Sequence, residues 1–339
     1  MRALMIGFGN VGRQIARILT VEKDSFERLD LQNLSVTGIT TGSHGSLANP
    51  EGIDLSNALA EFEGTGAFTP MNPDFVPIDS RVAARRLDYD VLVELSTLSI
   101  SDRGEPAAEF IRTALSRGKH VVSANKGPLA FHWEELQSLA RQEDCRLLFE
   151  STVLDGAPVF NLYRHSLRGC RVLQVSGVVN STTNYVLGQL EAGISMEEAV
   201  HQAQQKGFAE ADPSLDLEGW DAAAKITVLA NALMQGRITP LDVDRMGITD
   251  LSRDDLDRTG DRGCRLKLVA RAQWTADRLQ ASVRPEELAV DHPLARISGS
   301  GSALIIETDL MGPLIIEQLA PDLYDTAYGV LNDLLELTD

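Results

Sequence analysis

Residues 2–19, RALMIGFGNVGRQIARIL, decide the fold of the first half of the chain. RALMI is a short apolar run typical of a buried strand, and RQIARIL repeats its apolar residues at helical spacing. The G-x-G-x-x-G pattern between them gives each glycine a distinct task. Gly7 permits a tight turn, Gly9 lets the backbone approach a pyrophosphate, and Gly12 lets the helix pack closely on the strand. Residues 7–12 are therefore predicted to hold the phosphates of a dinucleotide at a helix N-terminus.

Strand and helix patterns continue to alternate up to about residue 150. The further strands are predicted at 34–40, 90–95, 119–123 and 146–150, and the helices between them at 105–118 and 133–142. This alternation predicts an α/β fold with a Rossmann-type, doubly wound parallel sheet. Ligands of such sheets bind outside the carboxyl ends of the strands, which draws attention to Ser96, Thr97 and residues 123–126.

The end of the second predicted strand bears on cofactor choice. It reads Thr40-Thr41-Gly42-Ser43-His44 and has no carboxylate for the ribose 2′-hydroxyl of NAD. Hydroxyls, His44 and Arg13 could instead accept a 2′-phosphate, which favours NADP over NAD; a relaxed preference is the alternative. Residues 42–74 are rich in Gly, Pro, Asn and Ser and are predicted to form a long irregular segment.

The regular alternation stops at about residue 151. In the second half, residues 171–180 and 278–288 are predicted strands, and 195–206 and 220–235 are predicted helices. This mixture indicates an α+β substrate-binding domain.

The helix of residues 220–235 contains a lysine in an apolar setting. In DLEGWDAAAKITVLANAL (216–233), Asp221 and Lys225 lie four residues apart, and no other charge occurs between Ala222 and Met234. A helix that is apolar on every side is buried, and a buried lysine is costly unless it is paired. Burial lowers a lysine pKa and a neighbouring carboxylate raises it again, a combination typical of functional sites. A surface ion pair is the alternative interpretation.

Two polar segments precede this helix. Residues 180–185, NSTTNY, close an apolar strand and offer hydroxyls and amides to a small polar ligand; an ordinary helix N-cap, formed by Ser or Thr, is the alternative. Residues 207–218 carry several carboxylates, which repel one another unless they are solvated or hold cations. These are Glu210, Asp212, Asp216 and Glu218. A solvated acidic loop is the alternative here.

Length and composition limit the remaining choices. The 339 residues suggest two domains, and a net charge of −18 argues against binding to nucleic acid or to an anionic membrane surface. Three separated cysteines without a C-x-x-C pattern indicate free thiols in a reducing compartment. The chain enters a strand at its first residues, which leaves no room for a signal peptide, and no apolar run is long enough to cross a membrane. We therefore expect a cytoplasmic protein.

Six motifs, in order along most of the chain, resemble those of homoserine dehydrogenases. The motifs are GFGNVG, SANKGP, ESTV followed by GAP, VVNSTTNYVL, KGFAEADPSLDLEGWDAAAK and TAYGVLNDLLEL. The long acidic-lysine motif and SANKGP are the most specific of them. The resemblance implies NAD(P)-dependent interconversion of L-homoserine and L-aspartate 4-semialdehyde, on the route to threonine, methionine and isoleucine.

The resemblance also implies roles for individual residues. Lys225 is expected to handle the hydroxyl proton, with Lys126 as its partner and Asp221 fixing the lysine. The substrate-binding residues are expected to be Glu210, Asp216, Ser181 and Thr182. The cofactor-binding residues are expected to be Gly7, Phe8, Gly9, Asn10, Val11, Gly12, Ser96, Thr97, Ser123 and Lys126. Glu150 and Val153 match a monovalent-cation site of the family, expected to hold sodium.

The same resemblance implies a division of the chain and a partner. Residues 1–150 are expected to form the NAD(P)-binding domain, and 151–312 the substrate-binding and dimerisation domain. Residues 313–339 are expected to form a C-terminal helix that returns to the first domain. The expected partners are the small substrate and a second copy of the chain, as a homodimer.

The chain departs from the family pattern at three places. Ser181 stands where the family usually has glycine, Val153–Gly156 replaces a run of glycines, and Gln318–Leu323 replaces a Gly-Ala-Gly loop near the cofactor. These changes put catalytic efficiency in doubt more than the fold. The chain also shows no regulatory domain after Asp339, so inhibition by threonine through such a domain is not expected.

Two other functions compete with this one. A catalytically weak or inactive paralogue could bind NAD(P) and act as a metabolite sensor, which the altered loops favour and the retained lysines and carboxylates oppose. A related semialdehyde dehydrogenase that forms a thioester needs an activated cysteine, and none of Cys145, Cys170 and Cys264 has a convincing setting.

Overall fold

The computed structural model describes residues 1–21, 31 and 33–338, and they divide into two compact units. The first unit consists of Met1–Pro158 and Asp322–Asp339, and the second of Val159–Pro321. The change from one unit to the other therefore falls after residue 158 and again after residue 321, compared with the expected boundaries at 150 and 312.

The first unit is built on a six-stranded sheet. Its strands are β1 (Arg2–Ile6), β2 (Ser35–Thr40), β3 (Ser46–Ala48), β4 (Val91–Glu94), β5 (His120–Ser123) and β6 (Leu147–Leu148). Their order is β3-β2-β1-β4-β5-β6, and every pair is parallel except β2 with β3. The order runs outwards from β1 in both directions, which confirms the predicted doubly wound sheet.

The helices of the first half lie between these strands. They are α1 (Asn10–Thr20), α2 (Leu55–Thr65), α3 (Ser80–Arg86), α4 (Ala107–Ser116) and α5 (Lys126–Gln142). The register pairs Ile6 with both Thr40 and Glu94, and Glu94 with Ser123. The carboxyl ends of β2, β1, β4 and β5 therefore share one edge of the sheet.

The prediction that residues 42–74 are irregular is wrong. This stretch contains β3 and the three-turn helix α2, which begins after an Asp54 N-cap and ends at Gly66 with a positive φ of 78°. Ala58 and Leu59 are buried in the core of the unit. The residues that suggested a loop are largely those that cap and connect these short elements. The predicted strand at 146–150 is likewise only two residues long, because a 3₁₀ turn, Glu150–Thr152, follows it.

The second unit contains another six-stranded sheet and a set of helices. Its helices are α6 (Ser181–Glu191), α7 (Met196–Gln205), α8 (Trp220–Met234) and α9 (Arg253–Asp261), with short helical turns at Val159–Asn161 and Ser214–Leu217. Its strands are β7 (Val172–Val178), β8 (Asp244–Arg245), β9 (Cys264–Thr275), β10 (Arg278–Ala289), β11 (Ser302–Thr308) and β12 (Gly312–Gln318). Their order is β12-β11-β7-β9-β10-β8, and only β8 with β10 is parallel.

The last helix, α10 (Leu323–Glu336), belongs to the first unit. Its apolar side packs into the core that includes β1, β2 and α1, through Ala327, Val330, Leu331 and Leu334. No helix in the described part of the chain is both long and apolar enough to span a bilayer.

Candidate active site

Helix α8 carries the lysine and the carboxylate that the sequence singles out. The Lys225 Nζ donates to Asp221 Oδ2 at 3.0 Å and to the Val179 carbonyl oxygen at 2.7 Å. Only 18% of the lysine side chain and 12% of the aspartate side chain are exposed. The alternative of a surface ion pair is therefore wrong, and this pair is a largely buried one.

Asn180 joins the Asp221–Lys225 pair to a second carboxylate. One hydrogen of its amide is donated to Asp221 Oδ2 at 2.9 Å and the other to Asp216 Oδ1 at 2.7 Å. Its amide oxygen accepts the backbone N–H of Thr183 at 2.8 Å, which caps α6. The alternative of an ordinary cap formed by Ser or Thr is therefore wrong, because the cap is Asn180 and the same side chain also holds the two carboxylates.

Asp216 and Thr182 form the outer part of this cluster. The Thr182 hydroxyl lies 3.0 Å from Asp216 Oδ2 and 2.6 Å from the Phe208 carbonyl oxygen. Burial raises the pKa of the Asp216 carboxyl, and repulsion from Asp221 adds to the rise, while hydrogen bonds and Lys225 oppose it. The cluster holds two carboxylates and one ammonium, so with all three ionised it carries a net charge of −1. That charge suits a ligand with an ammonium group.

The other acidic residues of this run, Glu210, Asp212 and Glu218, are exposed. Asp212 accepts the backbone N–H of Ser214 at 3.1 Å, and Glu218 accepts the indole N–H of Trp220 at 3.2 Å. The alternative of a solvated acidic loop therefore describes Asp212 and Glu218, but not Asp216.

A tight connection places Asp216 beside Asp221. The short turn Ser214–Leu217 is followed by Glu218 and Gly219, and Gly219 has a φ of 82°, in the left-handed region. Helix α8 begins at the next residue. Gly247 passes so close that a Cβ there would lie 2.2 Å from the Leu217 carbonyl oxygen. The two glycines thus allow a reversal that brings both aspartates to Asn180. Ser181 is the first residue of α6 and is partly exposed.

In the first unit, the glycine loop has the geometry that its pattern predicts. Gly7 has a φ of 106° and donates its N–H to the Thr40 carbonyl oxygen at 2.8 Å. A Cβ on Gly12 would lie 2.8 Å from the Gly7 carbonyl oxygen, whereas a Cβ on Gly9 would meet nothing within 4 Å. The open side of Gly9 and the absence of a side-chain cap on α1 leave backbone N–H groups for an anion. The loop therefore fits a pyrophosphate.

The remaining residues of the glycine loop differ in which of their groups are accessible to a ligand. The Phe8 side chain is buried against two other phenylalanine rings, so only its backbone can face a ligand. Asn10 is exposed and accepts an N–H of Arg13 at 2.7 Å, and Val11 is partly exposed.

The ends of β4 and β5 meet next to this loop. A Cβ on Gly7 would lie 2.7 Å from the Leu95 carbonyl group, so the segment after β4 touches the glycine loop. The Asn125 side chain caps α5 and also lies 3.4 Å from the Ser96 hydroxyl and 3.4 Å from the Thr97 carbonyl oxygen. Ser96 and Thr97 are thus held at the edge where ligands of such sheets bind.

Ser123 and Lys126 flank the Asn125 cap. The Ser123 hydroxyl is buried and donates to the Asn125 carbonyl oxygen at 3.1 Å, so it shapes the turn rather than presenting itself to solvent. Lys126 is the first residue of α5 and is partly exposed.

The end of β2 presents no carboxylate between residues 40 and 45. The Thr41 hydroxyl donates to the Gly45 carbonyl oxygen at 2.8 Å and accepts the His44 N–H at 2.7 Å. Arg13, one turn into α1, lies 3.3 Å from the Gly9 carbonyl oxygen through its Nε. Arg13 in α1, and the hydroxyls and His44 that follow β2, therefore border this edge.

The altered loop Val153–Gly156 keeps a backbone conformation that favours glycine. Leu154 and Asp155 have φ values of 53° and 52°, in the left-handed region, which costs about 1 kcal/mol for each side chain. Gly156 is retained where a Cβ would lie 2.1 Å from the Asp325 carbonyl oxygen. In the other altered loop, Asp322 caps α10 by accepting backbone N–H groups at 2.7 and 3.2 Å.

The residues matched to a cation site lie beside this loop. Glu150 and Val153 are both buried, and the Glu150 backbone N–H donates to Asp333 at 2.8 Å. Among the described residues, no group of three or more His, Cys, Asp and Glu side chains could hold a metal ion. A cation here would have to rely on backbone oxygens as well as on Glu150.

None of the cysteines has the setting of a nucleophile. All three are free and half-buried. Burial raises the pKa of the Cys145 thiol, and nearby Glu143 and Asp144 raise it further, which is the opposite of activation.

A doubly wound sheet with an open glycine loop, together with a buried lysine among carboxylates, defines a nicotinamide-dependent oxidoreductase. Comparison with known proteins gives the family. Residues 158–335 match the family homoserine dehydrogenase, and residues 7–150 match the homoserine dehydrogenase NAD binding domain. The chain belongs to the homoserine dehydrogenase family.

Individual relatives agree over nearly the whole length. The NAD(+)-dependent homoserine dehydrogenase of Pseudomonas canavaninivorans is 35% identical over 334 residues, covering 98% of this chain and 95% of the relative. A homoserine dehydrogenase of Sulfurisphaera tokodaii is also 35% identical, over 99% and 98% of the two chains.

Solved structures show the same fold. The homoserine dehydrogenase of Thermoplasma acidophilum superposes with a TM-score of 0.85 at 28% identity, covering 100% of this chain and 99% of that one. A hyperthermophilic archaeal homoserine dehydrogenase in complex with NADPH gives 0.83 at 28% identity, over 99% and 97%.

Proposed function

We propose that the cluster of Asn180, Asp216, Asp221 and Lys225 is the substrate site of this homoserine dehydrogenase. The observation that carries the proposal is the shared Asn180 amide, which holds two carboxylates and, through Asp221, a buried lysine in one network. Its net charge of −1 matches the single α-ammonium of homoserine. Asp216 and the exposed Glu210 bind that ammonium, and Ser181 and Thr182 contribute hydroxyls.

In this proposal Lys225 handles the proton of the substrate hydroxyl. Oxidation of homoserine to the semialdehyde removes a hydride from the carbon and a proton from the oxygen. A nicotinamide, when bound, supplies the hydride chemistry. In oxidation the neutral amine of Lys225 takes the proton as the carbonyl forms, and in the reverse direction the Lys225 ammonium gives its proton to the carbonyl oxygen, while Asp221 fixes its position. Lys126, at the start of α5, acts as the second lysine of the reaction.

We assign cofactor binding to the first unit and substrate binding and dimerisation to the second. Gly7 to Gly12 hold the pyrophosphate, since Gly9 is open and α1 lacks a side-chain cap. Ser96, Thr97 and Lys126 border the nicotinamide half, and Ser123 supports them by shaping the turn after β5.

We propose NADP as the preferred dinucleotide. The support is the absence of a carboxylate at residues 40–45 and the presence of Arg13 in α1 and of His44 after β2. The competing outcome is a preference for NAD, since the relative from Pseudomonas canavaninivorans is called NAD(+)-dependent.

We further propose a monovalent cation, a homodimer and a cytoplasmic location. The cation would be held by Glu150 and the backbone of Val153. The homodimer is supported by the edge strand β12, none of whose residues is buried and whose Ile315 exposes 47% of its surface. In the turn before this strand, Leu310 and Met311 expose 74% and 60%. The three free thiols support a reducing compartment.

The test is a spectrophotometric assay. Purified protein is mixed with L-homoserine and NAD+ or NADP+ at alkaline pH, and the absorbance of reduced nicotinamide is followed. We expect turnover with homoserine and a loss of at least about 100-fold in kcat/KM with 4-hydroxybutyrate, which lacks the ammonium. Equal rates with both alcohols would contradict the substrate site, and no turnover by folded protein would contradict the function.

A further inference from the structure

Glu94 is a buried carboxyl group at the edge of the first sheet where the carboxyl ends of the strands meet the glycine loop. It is the last residue of β4 and is 0% exposed. The register pairs it with Ile6 and Ser123, and the next residue, Leu95, touches Gly7 of the glycine loop. Its side chain therefore lies immediately behind the segment that connects the glycine loop with Ser96 and Thr97.

The two carboxyl oxygens of Glu94 have different surroundings. Oε1 accepts the Ser96 backbone N–H at 3.1 Å and also the Ser96 hydroxyl. The Asn125 amide then reaches the Ser96 hydroxyl, at 3.4 Å. Oε2 is buried and has no hydrogen-bond partner among the described residues. A fully buried, half-satisfied carboxyl group is costly in either form and is uncommon without a functional reason.

We propose that Glu94 is a positioning residue for the nicotinamide half of the cofactor. Its carboxyl group holds Ser96 at the binding edge, and its ionisation favours the oxidised, cationic nicotinamide over the reduced, neutral one. This inference rests on the proposed placement of the nicotinamide beside Ser96 and Thr97.

The protonation state of Glu94 changes near neutral pH. Burial raises the pKa of its carboxyl to about 7, against hydrogen bonds from Ser96 that lower it. Below that pH the buried group is neutral. Above it the group carries a negative charge, which attracts a cationic ring and does not attract a neutral one.

Charged side chains on the surrounding elements are engaged elsewhere. β4 packs against β1, β5 and α4. Arg2 pairs with Asp88 and Asp90, at the far end of β1, and His120 accepts the Arg146 N–H at the far end of β5. The charged groups of α4 are Glu109, which pairs with Arg81 and Arg85, and Arg112, which pairs with Glu105 and Glu135. Lys126 follows β5 and carries a further charge beside this edge.

The experiment compares the wild type with Glu94→Gln. Dissociation constants of NADP+ and NADPH are measured by fluorescence titration from about pH 6 to about pH 9 at constant ionic strength. In the wild type we expect the ratio Kd(NADPH)/Kd(NADP+) to rise by about fivefold or more as pH increases. In Glu94→Gln, which keeps the shape and can still accept from Ser96, we expect a change below about twofold.

The outcomes separate this inference from the proposed function. A ratio that is flat in the wild type, or that changes alike in both proteins, overturns the role of Glu94 while leaving cofactor binding intact. Weaker binding of both forms to the variant by the same factor at every pH shows a purely structural role and also overturns it. Absence of binding to the wild type overturns the cofactor assignment together with the inference.

A second variant covers the case in which Glu94→Gln does not fold. Ser96→Ala removes a hydrogen bond that stabilises the ionised carboxylate, so the midpoint of the pH-dependent change should move to higher pH. An unchanged midpoint in folded Ser96→Ala protein would overturn the proposal.

Discussion

The Lys225 ammonium and the Asp221 carboxylate lie 3.0 Å apart on adjacent turns of α8, and both are largely shielded from water. A buried ion pair on one helix is rarely a net source of stability, because desolvation offsets the attraction. Here the pair is extended by Asn180 to Asp216, which gives the cluster its excess negative charge. We therefore interpret the pair as part of a catalytic network rather than as an ion pair that stabilises the fold.

Asn180 has two functions that substitution can separate. Asn180→Ser keeps a capping oxygen but removes the amide that joins Asp216 to Asp221, so we expect the KM for homoserine to rise about tenfold. Asn180→Ala should show the same KM and, in addition, lose about 1 kcal/mol in its free energy of unfolding, because α6 loses its cap. Steady-state kinetics and urea unfolding measure the two effects. A KM for Asn180→Ser within about twofold of the wild type would contradict the role of the amide.

The Asp216 carboxyl predicts how substrate binding depends on pH. Its pKa is raised, by burial first and by Asp221 second, so it gains a proton at a higher pH than an ordinary aspartate. As pH falls through that raised value, the site loses a negative charge, and the KM for homoserine should rise by about tenfold or more. Asp216→Asn should have a high KM at every pH.

Asp212→Asn is the matched control for this prediction. Asp212 is exposed, and hydrogen bonds from Ser214 lower its pKa. The substitution should leave the KM and its pH dependence unchanged. A similar loss in both variants would show that the acidic run acts only through its overall charge.

The altered glycine loop is expected to be intolerant at Gly156. A methyl group there would lie 2.1 Å from the Asp325 carbonyl oxygen at the start of α10, so Gly156→Ala should lower the free energy of unfolding by about 2–3 kcal/mol. Gly188 lies inside α6 with nothing within 4 Å of a Cβ. Gly188→Ala should therefore be neutral or stabilising by up to about 1 kcal/mol. Thermal unfolding measures the stability of both variants. Equal changes in the free energy of unfolding would contradict the close contact between Gly156 and Asp325.

Cofactor choice should respond to a carboxylate at the end of β2. Thr41→Asp places an acceptor for ribose hydroxyls there and repels a 2′-phosphate, so the ratio of kcat/KM for NAD to that for NADP should rise by about tenfold or more. Thr41→Asn has nearly the same size without the charge and should leave the ratio within about threefold. An equal ratio of kcat/KM for NAD to that for NADP in the two variants would show that the ribose 2′-position of the cofactor does not lie near Thr41.

Much of the first unit follows from local pattern. The glycine loop, the parallel strands and the long helices could be predicted because each has a periodicity or a glycine requirement of its own. Helix α2 could not, because its capping residues and neighbours look like loop residues when read alone. Strand β9 could not be predicted because Lys267 and Arg271 interrupt its apolar run. Lys267 is buried through contacts with Asn184 and the Ile297 carbonyl oxygen, which are 83 and 30 residues away in sequence.

The site, too, contains residues that could be predicted from the sequence and residues that could not. Asp221 and Lys225 could be predicted as a pair because their spacing on one helix fixes their distance. Asn180 could be predicted only as part of the polar segment 180–185 and not as the residue that joins the carboxylates, because its contacts with Asp216 and Asp221 span 36 and 41 residues. The acidic run gave no way to tell Asp216 from its exposed neighbours, since the reversal at Gly219 selects it.

The most direct test of the account is the kinetics of Lys225→Met, which keeps the length of the side chain and removes its ammonium. We predict that kcat for homoserine falls by about 10³-fold while the Kd of the dinucleotide stays within about twofold of the wild type. Lys119→Met, at a lysine of the first unit that lies 4.0 Å from Asp88, serves as the control and should leave both values unchanged. A kcat for Lys225→Met within about threefold of the wild type would contradict the proton-transfer role.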